Sequence, residues 1–165
     1  ATLVTYTSQN RGAGKYSRIG KGVRSGLMLG FACAALDVLL IFTAGRAMVK
    51  IILPDCAQYV EDTAVQYLWI NVPFYFCLVV LLELRSTLQG LGQSAVPIGA
   101  SCIELIWKIC TVLFMIPWLG YMGVILSEPI IWTACAIVIG IIALVTLRKL
   151  PKEDAVHETA KGATE

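Results

Sequence analysis

Among the ionisable side chains that fall within apolar runs, Asp37, Glu83, Glu104 and Lys108 are the candidates for chemistry. An isolated charge at the centre of a bilayer costs about 2.5 to 3.5 kcal/mol on insertion scales, so such groups face protein or a wet cavity. They are candidates for carrying a proton or a cation. Glu104 and Lys108 are four residues apart, on one helical face and in the order that favours an ion pair within the helix. With Glu104 tied to Lys108, Asp37 is the acid left free to titrate, and the pair sets the field around it. The structural alternative for Asp37 is a hydrogen bond to backbone or hydroxyl on a neighbouring helix. Glu83 lies near the end of its apolar run beside Arg85, whose long stem can snorkel to the interface; for Glu83 a salt-bridged structural role is expected.

Other chemistries find no residues. Six cysteines include Cys33, Cys77, Cys102, Cys110 and Cys135 inside apolar runs, with no CxxC spacing and no neighbouring histidine, which predicts small packing residues and no metal site. The one histidine, His157, falls in a polar tail and implies no site. The Gly-x-Gly at Gly12 to Gly14 follows no strand and precedes no Gly-Lys-Ser/Thr, so it is not a phosphate loop. No nucleophile, base and oxyanion donors converge at one depth, so no enzyme activity and no cofactor are expected. A net charge of +2 predicts no nucleic-acid partner.

The elements that must position these residues are membrane helices. With 58% hydrophobic residues, 15% charged and a mean hydropathy of +0.76, the chain of 165 residues is more apolar than a soluble core of its size. Residues 1–7 are too short to span and read as the tail of a span that begins upstream, with no signal peptide in view. Residues 9–24 are glycine-rich and carry Arg11, Lys15, Arg18, Lys21 and Arg24 without an acid, which predicts a cytoplasmic loop. Spans are predicted over 25–44, 67–88, 95–119 and 121–147, in one transmembrane bundle over 1–150. A disordered cytoplasmic tail over 151–165 is expected to follow.

Small residues predict how these spans pack. Gly22, Gly26, Gly30 and Ala34 recur every four residues, and Ala136 and Gly140 form a second ridge, so close helix approach is expected at both. Pro73 lies inside the second span and predicts a kink. Gly90, Gly92 and Pro97 mark a tight connection into the third span, with Pro97 in its first turn. Along that span Pro97, Ser101, Glu104, Lys108 and Thr111 form one polar stripe that must face protein or water. Glu128 and Pro129 lie about two turns into the fourth span.

The segment SQNRGAGKYSRIGKGVRSG, the run RSTLQGLGQSAVP followed by IEL, and the later LGYMGV-x-L-x-EP-x-x-W, in that order and spacing, resemble the multidrug and toxic compound extrusion (MATE) family. The resemblance covers nearly the whole chain from Thr5 to Leu150. It implies an all-α membrane protein of twelve spans in two six-helix lobes, with this chain running from the end of the eighth span through the twelfth. The N-terminal lobe spans would then be its partners in the bilayer. It further implies export of organic cations or drug-like molecules across the cell (plasma) membrane by antiport against H+ or Na+, through alternating access. Two positions depart from the family pattern: an acid that some members carry in the tenth span falls on or near Leu78, and Trp107 and Lys108 stand where Gly-Arg often follows Glu-Leu-Ile. The competing reading is a non-transporting membrane interaction protein, or a degenerate half-transporter, that assembles with other spans through its glycine ridges.

Overall fold

The computed structural model describes residues 2–54 and 57–162, with side chains to Leu150; Asp55 and Cys56 fall outside the described residues. The fold is all-α. Its helices are α1 (Thr2–Gly12), α2 (Tyr16–Ile52), α3 (Gln58–Asn71), α4 (Tyr75–Gly90), α5 (Ala95–Cys110), α6 (Ile116–Leu119) and α7 (Tyr121–Gly162). A 3-10 turn (Val72–Phe74) joins α3 to α4, and a π-helical turn (Thr111–Met115) joins α5 to α6. Among the described residues four helical stretches are long and apolar enough to cross a membrane: Tyr16–Ile52, Gln58–Gly90, Ala95–Leu119 and Tyr121–Leu150.

The four predicted spans lie inside these helices, and the differences are at their ends. The basic segment over 9–24 is mostly helical, with α1 ending at Gly12, α2 starting at Tyr16 and only Ala13–Lys15 left to turn. Gly14, at φ +67°, supplies the left-handed residue this three-residue reversal needs. Helix α7 continues to Gly162, through residues expected to be a disordered tail, while residues 163–165 lie outside the description. Glu153, Asp154 and Ala155 are not helix breakers, so they can continue a helix already established by the 30-residue, largely apolar stretch Tyr121–Leu150.

Both breaks coincide with prolines. Pro73 removes the donor that the Trp69 carbonyl would use in a continuous helix, and the chain tightens into the 3-10 turn there. Pro117 does the same to the Leu113 carbonyl and would press its ring against it; the five-residue π turn just before it widens the helix at that point. Gly120, at φ +59° and ψ −137°, then reverses the chain into α7.

Helix α4 is central, packed against α1, α2, α5 and α7. Ile19, Leu81, Leu88 and Ile139, each at most 1% exposed, anchor this core. Most other apolar side chains point outward, as with Leu29 at 69% and Leu36 at 65% exposed. In a bilayer those side chains meet lipid tails as apolar as themselves, so association depends on close packing and interhelical polar contacts rather than on burial from water. Gly90 shows this: although it belongs to α4, a methyl there would lie 2.7 Å from both the Thr7 Cβ and the Val4 carbonyl oxygen of α1. Its role is close approach, and Gly92, at φ +75°, makes the turn.

One end of the bundle gathers the α1–α2 and α4–α5 turns and the descending part of α7. The Arg11 guanidinium donates to the Leu91 carbonyl there, and the Thr146 hydroxyl donates to Gln93 Oε1 at 3.4 Å. At the opposite end Arg46 pairs with Glu61 at 3.1 Å and with Asp62 at 2.8 Å, pinning α2 to α3.

Candidate functional site

The polar stripe of α5 is where the helices exchange charge. Its spacing puts Pro97, Ser101, Glu104 and Lys108 along one side of α5, with Thr111 opening the π-helical turn that follows, and α4 and α7 supply the partners. Arg85 of α4 donates to the Ser101 hydroxyl at 2.9 Å and to the Pro97 carbonyl at 3.3 Å, and its Nη2 lies 3.4 Å from Glu104 Oε1. That last contact is an ion pair without hydrogen-bond geometry, and Glu104 Oε1 accepts no hydrogen bond. Lys108 Nζ lies 3.1 Å from Glu128 Oε1 of α7. Trp107 Nε1 donates to the Ser127 carbonyl and to its hydroxyl, each at 3.1 Å, and the Ser127 and Thr111 hydroxyls share a hydrogen bond at 2.9 Å.

This corrects the expected pairing within α5. Glu104 and Lys108 do share a helical face, but each meets an opposite charge on a neighbouring helix: the Arg85 guanidinium lies 3.4 Å from Glu104, and Glu128 lies 3.1 Å from Lys108. Pairing across helices also joins α4, α5 and α7, which a pair within one helix cannot do. Arg85 correspondingly does not snorkel outward; its side chain is 19% exposed. Arg85, Ser127 and Glu128 therefore belong to the site. The signal in the sequence was charge balance: a second base and a fourth acid inside apolar runs, at depths matching Glu104 and Lys108.

Glu83 and Asp37 have no ion-pair partner among the described residues. The salt bridge expected of Glu83 is absent there, because Arg85, two residues on, turns to α5 while Glu83 turns to α2. Its carboxylate rests against Gly26, where an added methyl would lie 2.9 Å from Oε2. Glu83 lines a cleft of about 680 Å³ between α1, α2 and α4, shared with Tyr6, Lys21, Ser25, Cys33 and Ser86. The cleft floor is the glycine ridge of α2. A methyl on Gly22 would collide with the Tyr6 ring, and one on Gly30 would lie 2.6 Å from Val79 of α4; Ala34, 2% exposed, continues the packing.

Asp37 is exposed on the lobe surface, hydrogen-bonded to none of the described residues. Gly22, Gly26, Gly30, Cys33 and Asp37 follow at intervals of four, four, three and four, so Asp37 extends the stripe that floors the cleft. The antiparallel register of α2 on α4, Gly26 against Glu83 and Gly30 against Val79, continues to place Asp37 level with Val72 and Pro73, the helix break. Asp37 and Glu83 thus lie at two depths of one helical face, about 16 Å apart along α2 at 1.5 Å per residue.

The second small-residue ridge packs at one position only. Ala136 lies against the core cluster, but nothing comes within 4 Å of a methyl built on Gly140, so close approach there is not observed. Of the cysteines, Cys135 is buried, Cys77 is half-buried, and Cys33, Cys102 and Cys110 are exposed. Packing against other helices therefore describes Cys135 better than the rest. Among the described residues no three His, Cys, Asp or Glu side chains cluster as a metal site.

A family model described as MatE matches residues 1–114. None of the curated proteins and none of the solved structures is significantly similar to the chain.

Proposed function

Because the chain belongs to the MatE family, we propose that it takes part in cation-coupled efflux, exchanging H+ or Na+ for organic cations by alternating access in the cell membrane. The carrying observation is how the intramembrane charges sort. Arg85 and Lys108 neutralise Glu104 and Glu128, which leaves Asp37 and Glu83 as acids without a counter-ion among the described residues. Carboxylates of that kind in a membrane bind a proton, a metal cation or a cationic substrate, since each relieves the cost of the bare charge.

Asp37 is the primary coupling group in this reading. It stands level with the break at Val72–Phe74, and interrupted membrane helices offer carbonyl oxygens that suit a small cation. Glu83, in the cleft, is the second acid on the same face. Binding a cation at Glu83 changes the charge where α2 and α4 meet, a contact whose glycines leave little room for rearrangement without displacement.

Flux measured in liposomes containing the purified protein tests the reading. An inward gradient of H+ or Na+ should drive export of a fluorescent organic cation, and collapsing the gradient should stop it. Flux unaffected by either gradient would overturn coupled antiport.

A further inference from the structure

A groove of about 260 Å³ runs between α5 and α7, on the side of α5 away from its charged stripe. No residue lining it carries a charge or a hydroxyl. Ala100, Ile131, Cys135 and Ile139 are buried and form its floor, while Gly99 and Val138 are exposed at its walls. Nothing lies within 4 Å of a methyl built on Gly99, so the space beside that wall is open. Along α7 the lining runs from Ile131 to Ile142, about 16 Å at 1.5 Å per residue. That is close to the hydrocarbon depth of one leaflet, about 15 Å.

The groove leads towards the basic end of the bundle. Thr146, one turn beyond Ile142, donates to Gln93 at 3.4 Å, which brings the start of α5 level with that turn of α7. Lys149 follows Ile142 by seven residues and so continues the same face of α7, with Arg148 beside it. Both side chains are exposed, and neither forms an ion pair among the described residues. An apolar channel one leaflet deep, leading to unpaired cations at the membrane surface, is complementary to a lipid whose headgroup is anionic. A helix of another protein would fill the apolar part and leave the cations unused. A second copy related by a two-fold axis along the membrane normal would bring its own Arg148 and Lys149 to the same end, like charge beside like. We propose that the groove binds an acyl chain of an anionic phospholipid, whose phosphate is held by Lys149 and Arg148. The site stands apart from the efflux reading and needs no ion gradient.

Native mass spectrometry of the purified full chain in detergent, titrated with phosphatidylglycerol or phosphatidylcholine, reads the site as the fraction of protein carrying a lipid. Phosphatidylglycerol should bind about tenfold more tightly, because only its net negative charge is matched by the two cations. Arg148→Gln with Lys149→Gln should remove that preference and leave phosphatidylcholine binding unchanged. Gly99→Leu, which fills the groove from its open wall, should weaken both lipids about tenfold. Gly140→Leu, equally free of close contacts but outside the groove, should weaken neither. Should Gly99→Leu fail to fold, Ala134→Leu, on the α7 wall, makes the same test. A preference for phosphatidylglycerol that survives the double variant would overturn the site. So would lipid binding that the groove-filling variants leave unchanged, or that Gly140→Leu lowers as much as they do. A dimer of chains that Gly99→Leu dissolves, with lipid binding unaltered, would give the groove to a second copy and overturn the proposal as well.

Discussion

Glu104 and Glu128 carry the same charge as Asp37 and Glu83, and only their neighbours set them apart. Removing Arg85 leaves Glu104 as an uncompensated carboxylate with one oxygen already lacking a hydrogen bond, so Arg85→Met should cost about 1 to 3 kcal/mol, below the deeply buried range because both side chains are about a fifth exposed. A double-mutant cycle read by thermal unfolding in detergent should give clear coupling between Arg85 and Glu104 and between Lys108 and Glu128. Between Glu104 and Lys108 the coupling should be close to zero; a value as large as the other two would restore the pair within α5. The glycines divide in the same way. Gly30→Leu, which must displace Val79, should cost about 1 to 3 kcal/mol by overpacking, whereas Gly140→Ala meets open space and should be neutral or gain up to about 1 kcal/mol of helix propensity. Equal effects at the two positions would remove the close-packing account of α2.

At the scale of elements, helix identity was legible in the sequence, because an apolar run of span length has few other structures open to it in a bilayer. The polar stripe of α5 was legible too, since its spacing alone defines a face. What the stripe touches was not. The partners Arg85 and Glu128 come from helices whose rotation about their own axes is fixed by packing, and residue spacing within one helix says nothing about a neighbour's rotation. The same limit hid the divergence of Glu83 and Arg85, two residues apart but facing α2 and α5. Helix ends were missed where polar composition suggested a loop: Arg18, Lys21 and Arg24 are good helix formers, so α2 extends through them. The turn between α6 and α7 depends on one residue. At Gly120 there is space for a side chain but the backbone, at φ +59° and ψ −137°, suits glycine alone, so Gly120→Ala should cost about 1 to 3 kcal/mol in thermal unfolding. A neutral substitution would mean that the turn readjusts freely.

Across the whole molecule, charge is divided between the two ends. Arg11, Lys15, Arg18, Lys21, Arg24, Arg148 and Lys149 lie at the end with the α1–α2 and α4–α5 turns, while at the other end Arg46 and Lys50 are offset by Glu61 and Asp62. By the positive-inside rule we propose that the first end faces the cytoplasm. A cysteine placed at Thr63 should react with an impermeant thiol reagent on intact cells, and one at Ser17 should not; the opposite labelling would invert the topology. The clefts at the two ends fit this arrangement. The Glu83 cleft lies towards the basic end, and a cleft lined by Tyr67 and Tyr121 lies towards the other, with Asp37 between them along α2.

The central claim is that pairing decides which acids couple. It is tested most directly by gradient-driven organic-cation flux in liposomes, normalised to folded protein, for Asp37→Asn, Glu83→Gln, Glu104→Gln and Glu128→Gln. Asp37→Asn should lower coupled flux about tenfold or more with folded yield unchanged, Glu83→Gln should lower it less, and Glu104→Gln should act chiefly through lost stability. Normal coupled flux in Asp37→Asn across the working pH range, together with its loss in a stably folded Glu104→Gln protein, would contradict the account.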